Sequence, residues 1–281
     1  MCARKEKQME CRVNELSINY EVIGNGRPIV IIHGYSLDHT TMTACMEPIF
    51  KNKSNFKRIY IDLPGMGNSS SAEWIKNSDI MLQIVIDFID KIIPNENFLL
   101  AGYSYGGYLS RGIIYKMESR VDGLLLLCPV IIADVKKRNT PSHTVLKRDD
   151  RLLSQLEKTD AKDFDSMHVI QSNYIWDRFK NEMLPAIRKS NNNKFLDDLK
   201  KHGYEFSFDV DRLMEKFGKP TLVLLGRQDS IVGYKDAEGI LDNYPRSAYA
   251  ILDRAGHHLH IEQEKLFNAL VAEWVERVEE K

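Results

Sequence analysis

Ser104 stands in the stretch LLAGYSYGG, residues 99–107, with Gly102 and Gly106 two places to either side. Gly-x-Ser-x-Gly between an apolar run and a helix is the pattern of a nucleophile elbow. That turn is so sharp that side chains two residues before and after the serine would collide. Two more residues could complete a catalytic set. Asp229 follows the apolar run TLVLLGRQ, and His257 lies in DRAGHHLHIEQE. A hydroxyl that attacks, an imidazole that takes its proton and a carboxylate that orients the imidazole together perform acyl transfer. Each residue also has a plainer reading. The serine stretch fits a phosphate loop or an ordinary turn, and Asp229 fits a turn or a helix cap. His257, His258 and His260 invite a zinc reading, but H-x-x-x-H and H-E-x-x-H spacings are absent and no further ligand set accompanies them. Chain order discriminates, because Ser…Asp…His is the order of an elbow-type triad.

Those residues need elements to hold them. PIVIIHG, FKRIYIDLPG, NFLLAGYS, VDGLLLLCP and KPTLVLLGRQD are continuous apolar runs, as expected of strands buried on both faces, and SAYAILDRAGH adds a further strand. CRVNELSINYEVIG alternates and reads as two short strands joined near Glu15, with an antiparallel start to the sheet. Helical spacing of apolar residues appears at 80–93, 107–117 and 261–278. Strands alternating with helices imply an α/β fold with a mostly parallel central sheet and helices on both faces. In such sheets ligands gather at the carboxyl ends of strands, and Ser104, Asp229 and His257 all fall there.

The rhythm breaks once. No glycine occurs between Gly123 and Gly203. TVLKRDDRLLSQLEK and HVIQSNYIWDRFKNEMLPAIRK read as amphipathic helices, with KSNNNK as a turn between helices. Residues 132–217 are therefore expected to form a helical cap insertion, and residues 1–131 and 218–281 the core. Within the insertion, Met167, Tyr174, Trp176, Phe179 and Met183 could form an apolar lid or simply pack helix on helix.

Composition narrows the function classes. Of 281 residues, 39 are Lys or Arg and 40 are Asp or Glu, giving a net charge of −1 that offers a nucleic acid no basic surplus. The longest apolar stretch, 123–133, is interrupted by Pro129 and falls short of the ~20 residues of a membrane span. Cys2, Cys11, Cys45 and Cys128 match neither a zinc nor a disulfide pattern, and Cys128 sits in an apolar run where it would pack as a small hydrophobe. With no apolar signal core after MCARKEKQME, a cytoplasmic location is expected.

Taken together, these motifs resemble the α/β-hydrolase superfamily, in particular its serine hydrolases with a helical cap. IIHGYS looks like the family's His-Gly oxyanion loop and DLPGMGNSS like its Asp-x-x-Gly-x-Gly-x-Ser loop. GYSYGG is similar to its elbow, GRQDSIV to its acid loop and AGHHLHIEQ to its Gly-His-x-x-x-x-Glu ending, which aligns His257 as the catalytic histidine and Glu262 as the closing acid. The resemblance covers nearly the whole chain. It implies the nucleophile Ser104, the base His257 and the orienting Asp229, with the backbone N–H groups of Tyr35 and Tyr105 as oxyanion donors. Losing one such donor typically costs ~2.7–4 kcal/mol of transition-state stabilisation. His33 and Asp62 would hold turns.

The implied activity is cleavage of a small ester or related acyl substrate through an acyl-enzyme. No cofactor and no metal are expected, and the partner is a small acyl molecule rather than nucleic acid. The oligomeric state is left open between monomer and homodimer. Serine rather than aspartate at position 104 argues against dehalogenase and epoxide hydrolase chemistry. A C–C bond hydrolase, a thioesterase and a proline-releasing peptidase share the same triad, and a non-enzymatic ligand receptor can be built on the same fold.

Overall fold

In the computed structural model, residues 8–51 and 53–280 are described. Cys2 and the N-terminal MCARKEK lie outside them. Elements run β1 (Gln8–Val13), β2 (Leu16–Ile23), β3 (Arg27–Ile32), α1 (His39–Phe50), β4 (Phe56–Ile61), α2 (Ser78–Ile92), β5 (Phe98–Tyr103), α3 (Tyr105–Met117) and β6 (Val121–Leu127). Five helices follow: α4 (Asp150–Gln155), α5 (Lys158–Met167), α6 (Asn173–Glu182), α7 (Leu184–Ser190) and α8 (Lys194–His202). The chain closes with β7 (Thr221–Gly226), β8 (Ser247–Leu252), α9 (Leu259–Glu262) and α10 (Glu264–Glu279).

All eight strands form one sheet in the order β1-β2-β4-β3-β5-β6-β7-β8. β1 pairs antiparallel with β2, β2 pairs antiparallel with β4, and every other pairing is parallel. The continuous apolar runs have the expected cause. Every residue of β5 and of β7 is buried, with α3 packed on β5 and α10 on β7. β8, at the sheet edge, is half-buried throughout. After β3 the chain goes to one side for β4 and to the other for β5. The crevice above that reversal is where an open α/β sheet binds ligands.

Three helical expectations are corrected. The single helix expected over 261–278 is two, α9 and α10, with Gln263 non-helical between them at φ −126°, ψ 43°. The long helix expected over 168–189 begins only at Asn173 and breaks at Met183. Pro185 lies in the first turn of α7, where proline is tolerated, whereas it would block a continuous helix. TVLKRDDRLLSQLEK is helical over Asp150–Gln155 and again only at its last residue, Lys158, which opens α5. The turn in KSNNNK is present between α7 and α8. Among the described residues, Cys11, Cys45 and Cys128 are free and buried, and no helix is long and apolar enough to cross a membrane.

Candidate active site

Ser104 connects β5 to α3 with φ 54° and ψ −114°, a conformation costly for any residue but glycine. Three backbone hydrogen bonds hold it. Its N–H donates to the Leu127 carbonyl at 3.0 Å, and its carbonyl accepts from Tyr108 N–H at 3.2 Å and Val130 N–H at 3.0 Å. The flanking glycines make room for this turn. A Cβ at Gly102 would run into the Gly106 carbonyl and Ser110 Oγ. One at Gly106 would run into the carbonyls of Ile32, the last residue of β3, and of His33 just after it. The collision expected between the two positions is thus only half the reason. Gly106 is required by the approach of α3 to β3.

Asp229, His257 and Ser104 meet at the carboxyl ends of β7, β8 and β5. His257 Nδ1 lies 2.8 Å from Asp229 Oδ2, and His257 Nε2 lies 2.9 Å from Ser104 Oγ. Asp229 Oδ1 accepts from the N–H groups of Ile231 at 2.9 Å and Val232 at 3.0 Å. The carboxylate is therefore fixed by its own turn and offers its other oxygen to the imidazole. Nδ1–H then donates to Asp229, which leaves Nε2 as an acceptor for the serine hydroxyl. Asp229 is 0% exposed, while Ser104 and His257 keep 7% each.

Tyr105 opens α3, so its N–H has no intrahelical partner, and the Tyr35 N–H bonds to none of the described residues. The Tyr35 hydroxyl donates to the Leu196 carbonyl at 2.6 Å, and that of Tyr105 meets Ser78 Oγ at 2.7 Å. Both rings are thus tethered by their far ends. Tyr103 donates to the His257 carbonyl at 3.2 Å and tilts against its ring. Tyr35 and Tyr103 line the cavity.

His33 Nδ1 donates to the Gly34 carbonyl at 2.6 Å, and its Nε2 accepts from Leu63 N–H at 3.0 Å. Burial keeps its pKa low, in keeping with a neutral ring that pins the loop after β3. Asp62 accepts from Asn19, from the His39 ring and backbone, and from Asn68 N–H, all within 2.8 Å. Burial works against its charge, yet the His39 hydrogen bond and the nearby imidazoles hold its pKa at about 2.

A cavity of about 740 Å³ opens above Ser104. Of the five residues considered for a lid, Met167 and Met183 line it. Trp176 and Phe179 instead pack around Phe164, and Tyr174 is 53% exposed. The sequence reading overlooked the cations on the cavity wall: Lys136, Arg138, Lys200 and Lys201 against Asp134 and Glu205. It also overlooked His168, which pairs with His258. No local signal marks these residues, because the fold brings them together from distant segments.

The three histidines of the zinc reading diverge. His257 faces Ser104, His258 faces His168, and His260 is buried with neither nitrogen partnered. Cys128, Asp229 and His257 do bring potential ligand atoms within 4.8 Å of one another. The Asp229 and His257 atoms already bond each other, and burial pushes the Cys128 thiol up, away from the thiolate a metal needs.

Glu262 ties the site to the helices above it. Its Oε2 accepts from Gly256 N–H at 2.6 Å, beside His257, and its Oε1 accepts from Val169 N–H at 2.5 Å and Ile170 N–H at 3.2 Å. Burial pushes its pKa from the ordinary 4.5 up to about 7, against the pull of these donors. Between those values the folded chain binds more protons than the unfolded one, so stability falls as pH rises through 7. Glu262→Gln is expected to remove this contribution, on the order of 3 kcal/mol at full titration. Urea unfolding at about pH 5 and about pH 8 measures it. Equal slopes in both proteins would place the titration elsewhere.

A family model described as "Serine aminopeptidase, S33" matches residues 26–264. The pimeloyl-[acyl-carrier protein] methyl ester esterase of Legionella pneumophila (strain Corby) is 24% identical over 92% of this chain and 100% of its own length. The AB hydrolase superfamily protein YisY of Bacillus subtilis (strain 168) is 28% identical over 90% of this chain and 93% of its own. Among solved structures, an alpha/beta superfamily hydrolase from Oenococcus oeni PSU-1 superposes with a TM-score of 0.88 at 32% identity, covering 98% of this chain and 100% of that one.

Proposed function

The chain belongs to the α/β-hydrolase superfamily, in the group described as serine aminopeptidase, S33, and on that premise we propose that it hydrolyses a small ester or related acyl substrate through an acyl-enzyme on Ser104. The observation that carries this reading is the unbroken line from Asp229 Oδ2 through both His257 nitrogens to Ser104 Oγ, opening on the cavity. Ser104 Oγ attacks the acyl carbon as His257 Nε2 takes its proton. The carbonyl oxygen becomes anionic between the N–H groups of Tyr35 and Tyr105. Collapse expels the alcohol, which carries off the proton from His257. A water then attacks the acyl-enzyme, gives its proton to His257, and releases the acid as Ser104 regains its hydrogen. Asp229 holds the imidazole in the right tautomer and stabilises its cation.

Esters are favoured over amino-terminal peptides by the charge of the cavity. A free α-ammonium needs a carboxylate to receive it. Asp134 lies 3.5 Å from Lys137 Nζ, and four cations share the wall with Asp134 and Glu205. The esterase relative from Legionella supports the same choice. We further read residues 132–217 as a cap, because Met167, Met183, Ile187 and Tyr204 line the cavity together with Ser104. The three free buried cysteines support a reducing, cytoplasmic setting.

A fluorophosphonate probe tests the nucleophile and a panel of p-nitrophenyl esters of increasing chain length tests the reaction. Covalent label on Ser104 with steady turnover is expected. Label elsewhere, or none, overturns the assignment. A single slow turnover with retained product would make the protein a ligand receptor.

A further inference from the structure

His258 follows the proposed catalytic base but is held by a different set of contacts. Its Nδ1 lies 3.1 Å from Nε2 of His168, and His168 Nδ1 lies 3.1 Å from the Phe164 carbonyl. The Phe164 oxygen only accepts, so His168 Nδ1 carries the hydrogen. Burial keeps His168 neutral, with a pKa of about 3, and keeps His258 neutral as well. His168 Nε2 is then a bare acceptor, and His258 Nδ1 must donate to it. The remaining nitrogen, His258 Nε2, carries a lone pair and no hydrogen.

That lone pair has no partner among the described residues. The ring stacks on Phe179 and tilts against His168, neither of which offers it a donor. Both nitrogens of His260 are sealed as well as unpartnered. His258, only 2% exposed, instead lines the cavity above Ser104. An unsealed acceptor on a ring that lines the cavity, fixed in one tautomer by a two-histidine relay, is a built feature. A ligand donor that matches its fixed geometry replaces the water such an acceptor would otherwise bind.

We propose that His258 is a specificity residue of this cavity, whose Nε2 accepts a hydrogen bond from a hydroxyl or amide N–H on the substrate. The preferred substrate is then an ester carrying an uncharged donor on its acyl chain or leaving alcohol. An ammonium donor is disfavoured by Lys136, Arg138, Lys200 and Lys201 in the same wall. The inference rests on the hydrolase reading of Ser104.

The test compares esters with a hydroxyl at successive positions against their deoxy and O-methyl counterparts. At one position the wild-type protein is expected to favour the hydroxyl ester by about five- to tenfold in kcat/KM, the range of one neutral hydrogen bond. His258→Leu should erase that preference, so that hydroxyl and deoxy esters turn over with equal kcat/KM in a variant that still labels at Ser104. His258→Gln should keep it, since a carboxamide can donate to His168 Nε2 and present its oxygen to the cavity. The proposal is overturned if the wild type shows no hydroxyl preference at any position. It is equally overturned if the preference survives His258→Leu or is lost in a folded His258→Gln. Ser104 labelled by the probe, but without hydroxyl preference, removes this inference alone. Failure to label Ser104 removes the hydrolase reading with it.

Discussion

Asp229→Asn is expected to lower kcat on a p-nitrophenyl ester by about 10⁴-fold with little change in stability. The turn after β7 dictates how an asparagine would sit. Ile231 N–H and Val232 N–H both donate to Oδ1, so that position must hold the amide oxygen. The opposite orientation would set an NH₂ against two N–H donors. The amide nitrogen therefore takes the place of Oδ2 and faces His257 Nδ1, 2.8 Å away in the native chain. Nδ1 can then only accept, and the ring hydrogen moves to Nε2. A histidine that presents N–H to Ser104 cannot take the serine proton. The fold keeps its turn, because the two backbone donors keep their acceptor. Turnover and the rate of fluorophosphonate labelling should fall together while the unfolding midpoint stays near that of wild type. A kcat within tenfold of wild type would show that Asp229 does not set the tautomer.

The framework of the site is readable in the sequence because burial on two faces leaves a plain mark. β5 and β7 are buried along their whole length and end shortly before Ser104 and Asp229, the residues that meet in space. The helices are less legible where their stability comes from tertiary contacts. α1 reads HTTMTACMEPIF, with β-branched threonines and Pro48 inside it. It forms because Asp38 caps it and because Met42, Met46 and Phe50 bury against the core. The break at Gln263 was equally hidden, since it lies beside Glu262, whose carboxylate receives Gly256, Val169 and Ile170 from other segments. Pro185 did carry a readable signal for the break between α6 and α7. The pairing of His258 with His168 spans 90 residues of sequence. Only the packing of the segment after α5 against the loop after β8 creates it.

On the proposed mechanism, Ser104→Ala is expected to reduce turnover by about 10⁵- to 10⁶-fold, since that mechanism loses its attacking atom and keeps only binding and the oxyanion donors. Stability should move by less than ~1 kcal/mol. The backbone bonds from Ser104 to Leu127, Tyr108 and Val130 do not involve the side chain, and the alanine inherits the same strained φ of 54°. Ser104→Gly separates the two properties further. Glycine tolerates this φ, which relieves ~1–3 kcal/mol of strain. It also gives back ~0.4–1 kcal/mol through the greater freedom of the unfolded chain. The net expectation is an inactive protein that unfolds at higher denaturant than wild type. Parallel urea titrations of the serine, alanine and glycine forms measure this. A glycine form less stable than the alanine form would mean that the neighbouring hydrogen bonds, and not strain accepted for the sake of the nucleophile, set the energy of the turn. The higher stability of the inactive form would instead show that the elbow sacrifices fold stability to hold Oγ 2.9 Å from His257.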